Sequence, residues 1–178
     1  MRSTRAVVIS WVPLLGLSGC GGPSSTPEAA SIASSESGIV AYVSDGDTLR
    51  LRDGRKVRLL QIDAPELRGD CFGKAALVAL RRLVPAGTRV TLDRDPALDA
   101  TDRYGRQLRY VFVSGTNVNV ALVRQGAASP YFFRKERGRF ARELLSAVDE
   151  ARGAPRGYWG ACPRAVLNTA LGSITGHA

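Results

Sequence analysis

The sequence predicts an α+β domain that is mainly β: a small five-stranded barrel with about three helices packed against it. Three observations predict it. Short stretches of β-branched and aromatic residues alternate around turn signals, as half-buried strands do. Other segments carry apolar residues at helical spacing. Their order is three strands, a helix, two strands and further helices, in a chain of 178 residues that is long enough to bury one core.

Each element has its own justification. GIVAYVSDGDTLRL (38–51) and KVRLLQI (56–62) read as strands, with Asp53-Gly54 turning between them. A two-residue turn there would set Leu49 opposite Arg58. An odd-length loop with Gly54 in the left-handed region puts Leu49, Leu51, Val57 and Leu59 on one face, and this register is expected. The same parity turns Asp47 inward, so the ladder is expected to begin irregularly near Asp45-Gly46-Asp47. A local rule that fails points to a functional site. CFGKAALVALRRLV (71–84) spaces Ala76, Leu77, Leu80 and Val84 as a helix does, and Pro85 stops it. TRVTLDRD (88–95) and RQLRYVFVSG (106–115) are the fourth and fifth strands. NVNVALVRQG (117–126) predicts a short helix with Asn117 as cap and Gly126 after its end. ERGRFARELLSAVDEARG (136–153) places Phe140, Leu144, Val148 and Ala151 on one stripe of a third helix. The five-stranded OB-fold barrel suits this count. No internal repeat is present.

The N-terminus reads as a targeting segment. Arg2 and Arg5 precede a short apolar run, AVVISWVPLLGL (6–17), too short and wrongly flanked to span a membrane. It ends in LSGC (17–20), which resembles the bacterial lipoprotein cleavage box. That resemblance implies a signal peptide over 1–19, cleavage before Cys20 and lipid on its sulfur. A plain signal peptide that happens to contain a cysteine is the alternative. The Gly-, Ser- and Pro-rich stretch that follows buries too little apolar surface to fold, so residues 20–37 are expected to be a lipidated tether. The folded domain is then 38–163, and 164–178, without periodicity, is a loose tail. The expected location is outside the cell, on a membrane surface, as a monomer.

Composition narrows the partners. Lys and Arg number 25 against 16 Asp and Glu, a net charge of +9. Without Arg2 and Arg5 the balance is 23 against 16, or +7. A basic surface favours polyanions, nucleic acid or anionic lipid, although an arginine-rich genome alone yields basic proteins. The remaining cysteines are Cys71 and Cys162. Two leftover thiols in an exported protein usually pair, and with His177 the only histidine a Cys/His zinc site has too few ligands. Two separate free thiols are the alternative.

Against this basic background, residues 39–66 gather Asp45, Asp47, Asp63 and Glu66 beside Arg50, Arg52, Arg55, Lys56 and Arg58. Unpaired carboxylates repel, so the cluster calls for arginines or a metal. Asp47, Asp63 and a carbonyl near Pro65 form a hard oxygen set suited to Ca2+ or Mg2+. TDRYGRQLRY (101–110) adds Arg103 and Arg106 about a glycine turn. Phosphodiester cleavage needs these parts: a cation, guanidiniums to hold phosphate oxygens, and a carboxylate to orient water. Singly each has a plainer explanation: Asp45-Gly46 as a turn, DAPE as a helix cap, DRYGR as a solvated hairpin.

Their order is more specific. DGDT…VRLLQIDAPE…TDRYGR…VNVALVRQG resembles the thermonuclease, or staphylococcal-nuclease-like, family over about Ile39 to Cys162. The resemblance implies the OB-fold barrel, Ca2+ as cofactor, and endonucleolytic cleavage of DNA and RNA. It implies Asp47 and Asp63 as calcium carboxylates and the Ala64 carbonyl as a further ligand. Arg58 and Arg106 correspond to the phosphate-binding catalytic arginines, and Glu66 to the carboxylate assigned as general base. Arg103 and Tyr104 fall where the family contacts a terminal phosphate, and Tyr131 is a candidate for stacking on a base. The chain departs from the family's prototype at Ala64, where that protein has threonine, in a shorter loop between the first strands, and in ASPYFFRKERG (128–138), where its tyrosine pair aligns poorly. The main alternative is a non-catalytic nucleic-acid-binding module of the cell envelope. Retention of Asp47, Arg58, Asp63, Glu66 and Arg106 argues against it. A structural envelope lipoprotein explains the anchor but leaves the charged set without a purpose.

Overall fold

The computed structural model describes residues 35–168. The expected signal segment, Cys20, most of the tether and the tail beyond Asn168 lie outside them. Within them the elements run β1 (Glu36–Val43), β2 (Thr48–Leu51), β3 (Lys56–Leu59), β4 (Ile62–Asp63), α1 (Gly73–Leu83), β5 (Arg89–Asp93) and β6 (Gln107–Val113). There follow β7 (Thr116–Asn117), α2 (Val118–Arg124), β8 (Ser129–Pro130), α3 (Ala141–Gly153) and a single turn, α4 (Tyr158–Ala161).

Five of the strands close a barrel. Antiparallel neighbours run β3-β2-β1-β5-β6, and β6 returns beside β3 in parallel, with Arg58 opposite Leu108. Closure depends on β1. Its first half pairs with β5 and its second half with β2, and an irregularity between Val40 and Tyr42 bends it from one to the other. The three-residue loop at Arg52–Gly54 has Gly54 at φ 89°, and Leu49 pairs with Val57. That is the odd register expected, and Leu49, Leu51, Val57 and Leu59 are all buried.

The helices cover the barrel as their apolar stripes require. Helix α1 buries Ala76, Leu77 and Leu80, and α3 buries Leu144, Val148 and Ala151. Asn117 caps α2, its side chain accepting from the Val120 N–H. One polar residue holds the seam where the barrel closes. Buried Asn119 accepts from the Val111 N–H at 3.0 Å and donates to the Leu60 carbonyl at 2.8 Å. Cys71 and Cys162 form a disulfide, Cα–Cα 5.9 Å, tying the approach to α1 to the end of α4.

Four sequence boundaries shift. The first described strand begins at Glu36, not residue 38, and the Glu36 carboxylate reaches Arg55 and buried Arg109. KVRLLQI is not one strand: β3 ends at Leu59 and the chain bends at Gln61, φ 58°. Helix α3 starts at Ala141, not 136. Residues 138 and 139 instead donate their N–H groups to Gln61 and Asp95, and the Phe140 ring packs 4.6 Å from Tyr110. In the expected loose tail, Leu167 packs against the core.

Candidate active site

The site lies where β2, the β3–β4 bend and the loop before β6 meet. Asp47 precedes β2 and points inward, 7% exposed. The turn that carries it is pressed against Ala64 and α1. A Cβ on Gly46 would lie 2.6 Å from the Ala64 Cβ and 2.9 Å from that of Ala76, so only glycine fits. Asp45 closes the turn by accepting from the Asp47 N–H at 3.1 Å. The irregular start of the ladder is this turn.

Arg58 projects from β3 between two carboxylates. Its Nη2 lies 3.0 Å from Asp47 Oδ2 and 2.8 Å from Asp63 Oδ1, while Nη1 donates to the Ile62 carbonyl at 3.0 Å. The guanidinium is largely buried. Burial opposes its charge, Asp47 and Asp63 outweigh that effect, and its pKa is raised. The bend at Gln61 brings Asp63 back beside Arg58. A residue with a Cβ enters this backbone region at a cost of about 1–2 kcal/mol. The Gln61 side chain offsets that cost: its amide donates to the Glu136 carbonyl, and its oxygen accepts from the Tyr110 hydroxyl and the Gly138 N–H.

Arg106 enters from the other side. Asp102 shapes the turn before it, accepting from the Tyr104 and Arg106 N–H groups at 2.9 Å each, with Gly105 at φ 74°. The other Asp102 oxygen takes Arg106 Nε at 2.7 Å. Thr48 then joins the two halves. Its hydroxyl donates to Asp47 at 2.8 Å and accepts from Arg106 Nη1 at 3.2 Å. DRYGR is thus a hairpin turn and an aiming device for Arg106.

The remaining expected residues sit around this centre. Tyr104 is 65% exposed at the rim, with the Arg103 guanidinium 4.7 Å and that of Arg106 5.5 Å from its ring centre. The Tyr131 ring centre is 5.9 Å from the Arg58 guanidinium. Glu66 is exposed and close enough to act on the charge of Asp63. Sequence reasoning missed three supporting residues: Thr48, Asp102 and Gln61. Thr48 and Asp102 lie inside DGDT and TDRYGR, where the neighbouring aspartate and arginines carry the recognisable chemistry. Gln61 had no signal, because its role depends on groups more than 40 residues away.

The electrostatics favour a cation. Burial, then repulsion from Asp47, pushes Asp63 up to about 6 against the pull of Arg58. Burial and Asp47 likewise push Asp45 up to about 6. Two carboxylates, Asp47 and Asp63, share the Arg58 guanidinium, while Arg106 is already paired with Asp102. Among the described residues no group of three or more His, Cys, Asp or Glu side chains forms a ready metal cage. Asp47 and Asp63 are instead brought together on Arg58 Nη2, and the Ala64 N–H lies 3.4 Å from Asp47 Oδ2; these two carboxylates are the side chains that could hold a cation here. That set fits a hard cation whose other positions are filled by water.

Comparison with known proteins agrees with this geometry. The staphylococcal nuclease homologue family matches residues 56–161. An uncharacterized endonuclease of Escherichia coli O157:H7 is 40% identical over 126 residues, covering 68% of this chain and 76% of that one. Protein ParB of Escherichia coli is 39% identical over 135 residues, covering 68% and 71%. Endonuclease YhcR of Bacillus subtilis is 33% identical over 138 residues, which are 68% of this chain but 11% of that protein. The chain belongs to the staphylococcal nuclease homologue family, and with this site it is a nuclease.

Proposed function

We propose that the chain is a Ca2+-dependent endonuclease that hydrolyses phosphodiester bonds in DNA and RNA. The observation that carries this is the bridge Asp47–Thr48–Arg106 set beside Arg58 and Asp63. It holds two guanidiniums and two carboxylates around one small volume. Arg58 and Arg106 would grip non-bridging phosphate oxygens, each as a planar fork. Their pairing with Asp47, Asp63 and Asp102 holds both side chains in place before substrate arrives, which is where electrostatic catalysis gains most. Glu66, exposed and near enough to act on the charge of Asp63, would take a proton from the attacking water. Asp47, Asp63 and the Ala64 carbonyl would hold Ca2+. Bound there, the ion supplies positive charge beside a phosphoryl oxygen. Tyr104 with Arg103, and Tyr131 beside Arg58, flank the volume and suit a terminal phosphate and a base.

Incubating the purified chain with plasmid DNA and with single-stranded RNA, in Ca2+ or in a chelator, tests this reading. Cleavage of both only with the cation is expected. Cleavage indifferent to chelation, or binding without cleavage, would refute it.

The location belongs to the same proposal. LSGC supports acylation of Cys20 and display on the outer face of a membrane, with residues 21–35 as spacer. One lipid chain gives marginal attachment and two or more give lasting attachment. The mass of the mature N-terminus decides it: an unmodified Cys20, or cleavage elsewhere, refutes the anchor.

A further inference from the structure

We propose that the segment Phe133–Arg142 is a second nucleic-acid-binding surface, a basic and aromatic shelf that holds the strand flanking the scissile bond. This rests on the nuclease reading above. Three observations carry it.

The first is continuity with the site. Strand β8 pairs Ser129 with Asp63 and Pro130 with Ile62. The Tyr131 N–H then donates to the Gln61 carbonyl at 2.9 Å, and its ring faces Arg58. Two residues later the chain reaches solvent at Phe133, which is 52% exposed and has the Arg134 guanidinium 5.2 Å from its ring centre.

The second is chemistry and shape. Arg134, Lys135, Arg137, Arg139 and Arg142 stand against a single acid, Glu136, within the nine residues 134–142. Arg137, Arg139 and Arg142 line an open hollow of about 620 Å³, whose lining also includes Glu143. An exposed ring among cations is the pattern that takes a stacked base and its phosphates.

The third is rigidity. Arg134 and Lys135 lie at φ 52° and 65°, a region that residues with a Cβ rarely enter. Such strain persists where the surroundings over-determine it, and it concentrates at functional segments. The surroundings are on hand. Gln61 grips both the Glu136 carbonyl and the Gly138 N–H, buried Asp95 accepts from the Arg139 N–H, and Arg139 pairs with Asp93. A Cβ on Gly138 would collide with Asp95 and Tyr110. Gln61 is also the bend that brings Asp63 to Arg58, so one residue sets both the shelf and the catalytic pair. An anionic membrane would also attract these cations. A shelf clamped in register with the cleft is needed only by a polymer that occupies both.

The test uses Phe133→Ala and the triple variant Arg134→Gln, Lys135→Gln, Arg142→Gln, all at exposed positions. In chelator, wild type and variants are titrated with a labelled trinucleotide and with a single strand of about 20 nucleotides, longer than one site. For the long strand, the triple variant should lose about tenfold in affinity and about 2 in the slope of log affinity against log salt. Phe133→Ala should cost about five- to tenfold through lost stacking. The trinucleotide should suffer less, so the long-to-short affinity ratio falls. With Ca2+ the same ratio in kcat/KM should fall in parallel. Equal loss at both lengths, or an unchanged salt slope, overturns the proposal. So does weaker binding to phosphatidylserine vesicles with oligonucleotide affinity intact, which would assign the surface to a membrane. Failure of wild type to cleave refutes the nuclease reading alone, because the titrations in chelator still read the shelf.

Discussion

Two arginines that look equivalent in sequence are held by different means. Arg58 is fixed by two carboxylates that are themselves candidate cation ligands, whereas Arg106 is fixed by Asp102 and a threonine hydroxyl. In the proposed reaction both would act on charge that develops in the transition state. Arg58→Lys and Arg106→Lys should therefore each raise the barrier by about 3–4 kcal/mol, roughly a hundred- to a thousandfold in rate. Lysine is a point charge and does not restore a planar fork. Asp47→Ala should respond in part to excess Ca2+, and neither arginine variant should. Single-turnover cleavage of a labelled oligonucleotide across a Ca2+ series measures this, and near-wild-type rates in both lysine variants would place the phosphate elsewhere. The carboxylates add a pH dependence. Asp45 and Asp63 have folded pKa values raised from 3.8 to about 6. The folded state thus binds more protons than the unfolded chain between those values. The cation-free protein should lose stability as pH rises from about 4 to about 6. A Ca2+ ion held by the proposed site would have to displace those protons, so its affinity should rise across the same interval. Calorimetric Ca2+ titration at pH 5 and pH 7.5 checks it, and equal affinities would contradict the raised values.

At the scale of elements, the barrel depends on joints more than on strand propensity. The parallel β3–β6 seam is short, and Asn119 on α2 satisfies the Val111 N–H on one side and the Leu60 carbonyl on the other. Asn119→Ala strands both groups in the core. At about 1–3 kcal/mol for each unsatisfied group, a loss of about 2–6 kcal/mol is expected. Urea unfolding measures it, with an unchanged m-value showing that the compactness of both states is preserved. A shift in stability under about 0.5 kcal/mol, typical of a surface change, would show that Asn119 is not the staple. The same element scale explains why β4 is separate from β3: a straight strand would carry Asp63 away from Arg58, and the bend at Gln61 returns it.

At the scale of the whole molecule, the disulfide joins residues 91 positions apart. It spans most of the fold, from the approach to α1 to the end of α4. In the chain-entropy view a loop of this length lowers the entropy of the unfolded chain by about 4–5 kcal/mol at room temperature, and measured gains usually fall short of that. Cys71→Ser with Cys162→Ser should reduce unfolding free energy by about 2–4 kcal/mol while leaving Arg58 and Arg106 in place. The check is chemical denaturation alongside activity. Activity lost in step with the disulfide, at temperatures where the fold persists, would instead make the bridge part of the site.

Local pattern alone determined the order of the five barrel strands and the three longer helices, the odd hairpin register, the inward turn of Asp47, the Asn117 cap and the residue types that meet in the site. Those features depend on side-chain period, turn chemistry and parity, all of which act over a few residues. Tertiary structure decided what depends on contacts across the barrel. Glu36 is a strand residue because Arg55 and Arg109 receive its carboxylate. Gln61 breaks a strand because Tyr110, Glu136 and Gly138 satisfy its side chain. Helix α3 starts five residues late because Gly138 and Arg139 give their N–H groups to Gln61 and Asp95. In each case the local preference is worth about 1–2 kcal/mol at most, and long-range hydrogen bonds or ion pairs with partners dozens of residues away outweigh it.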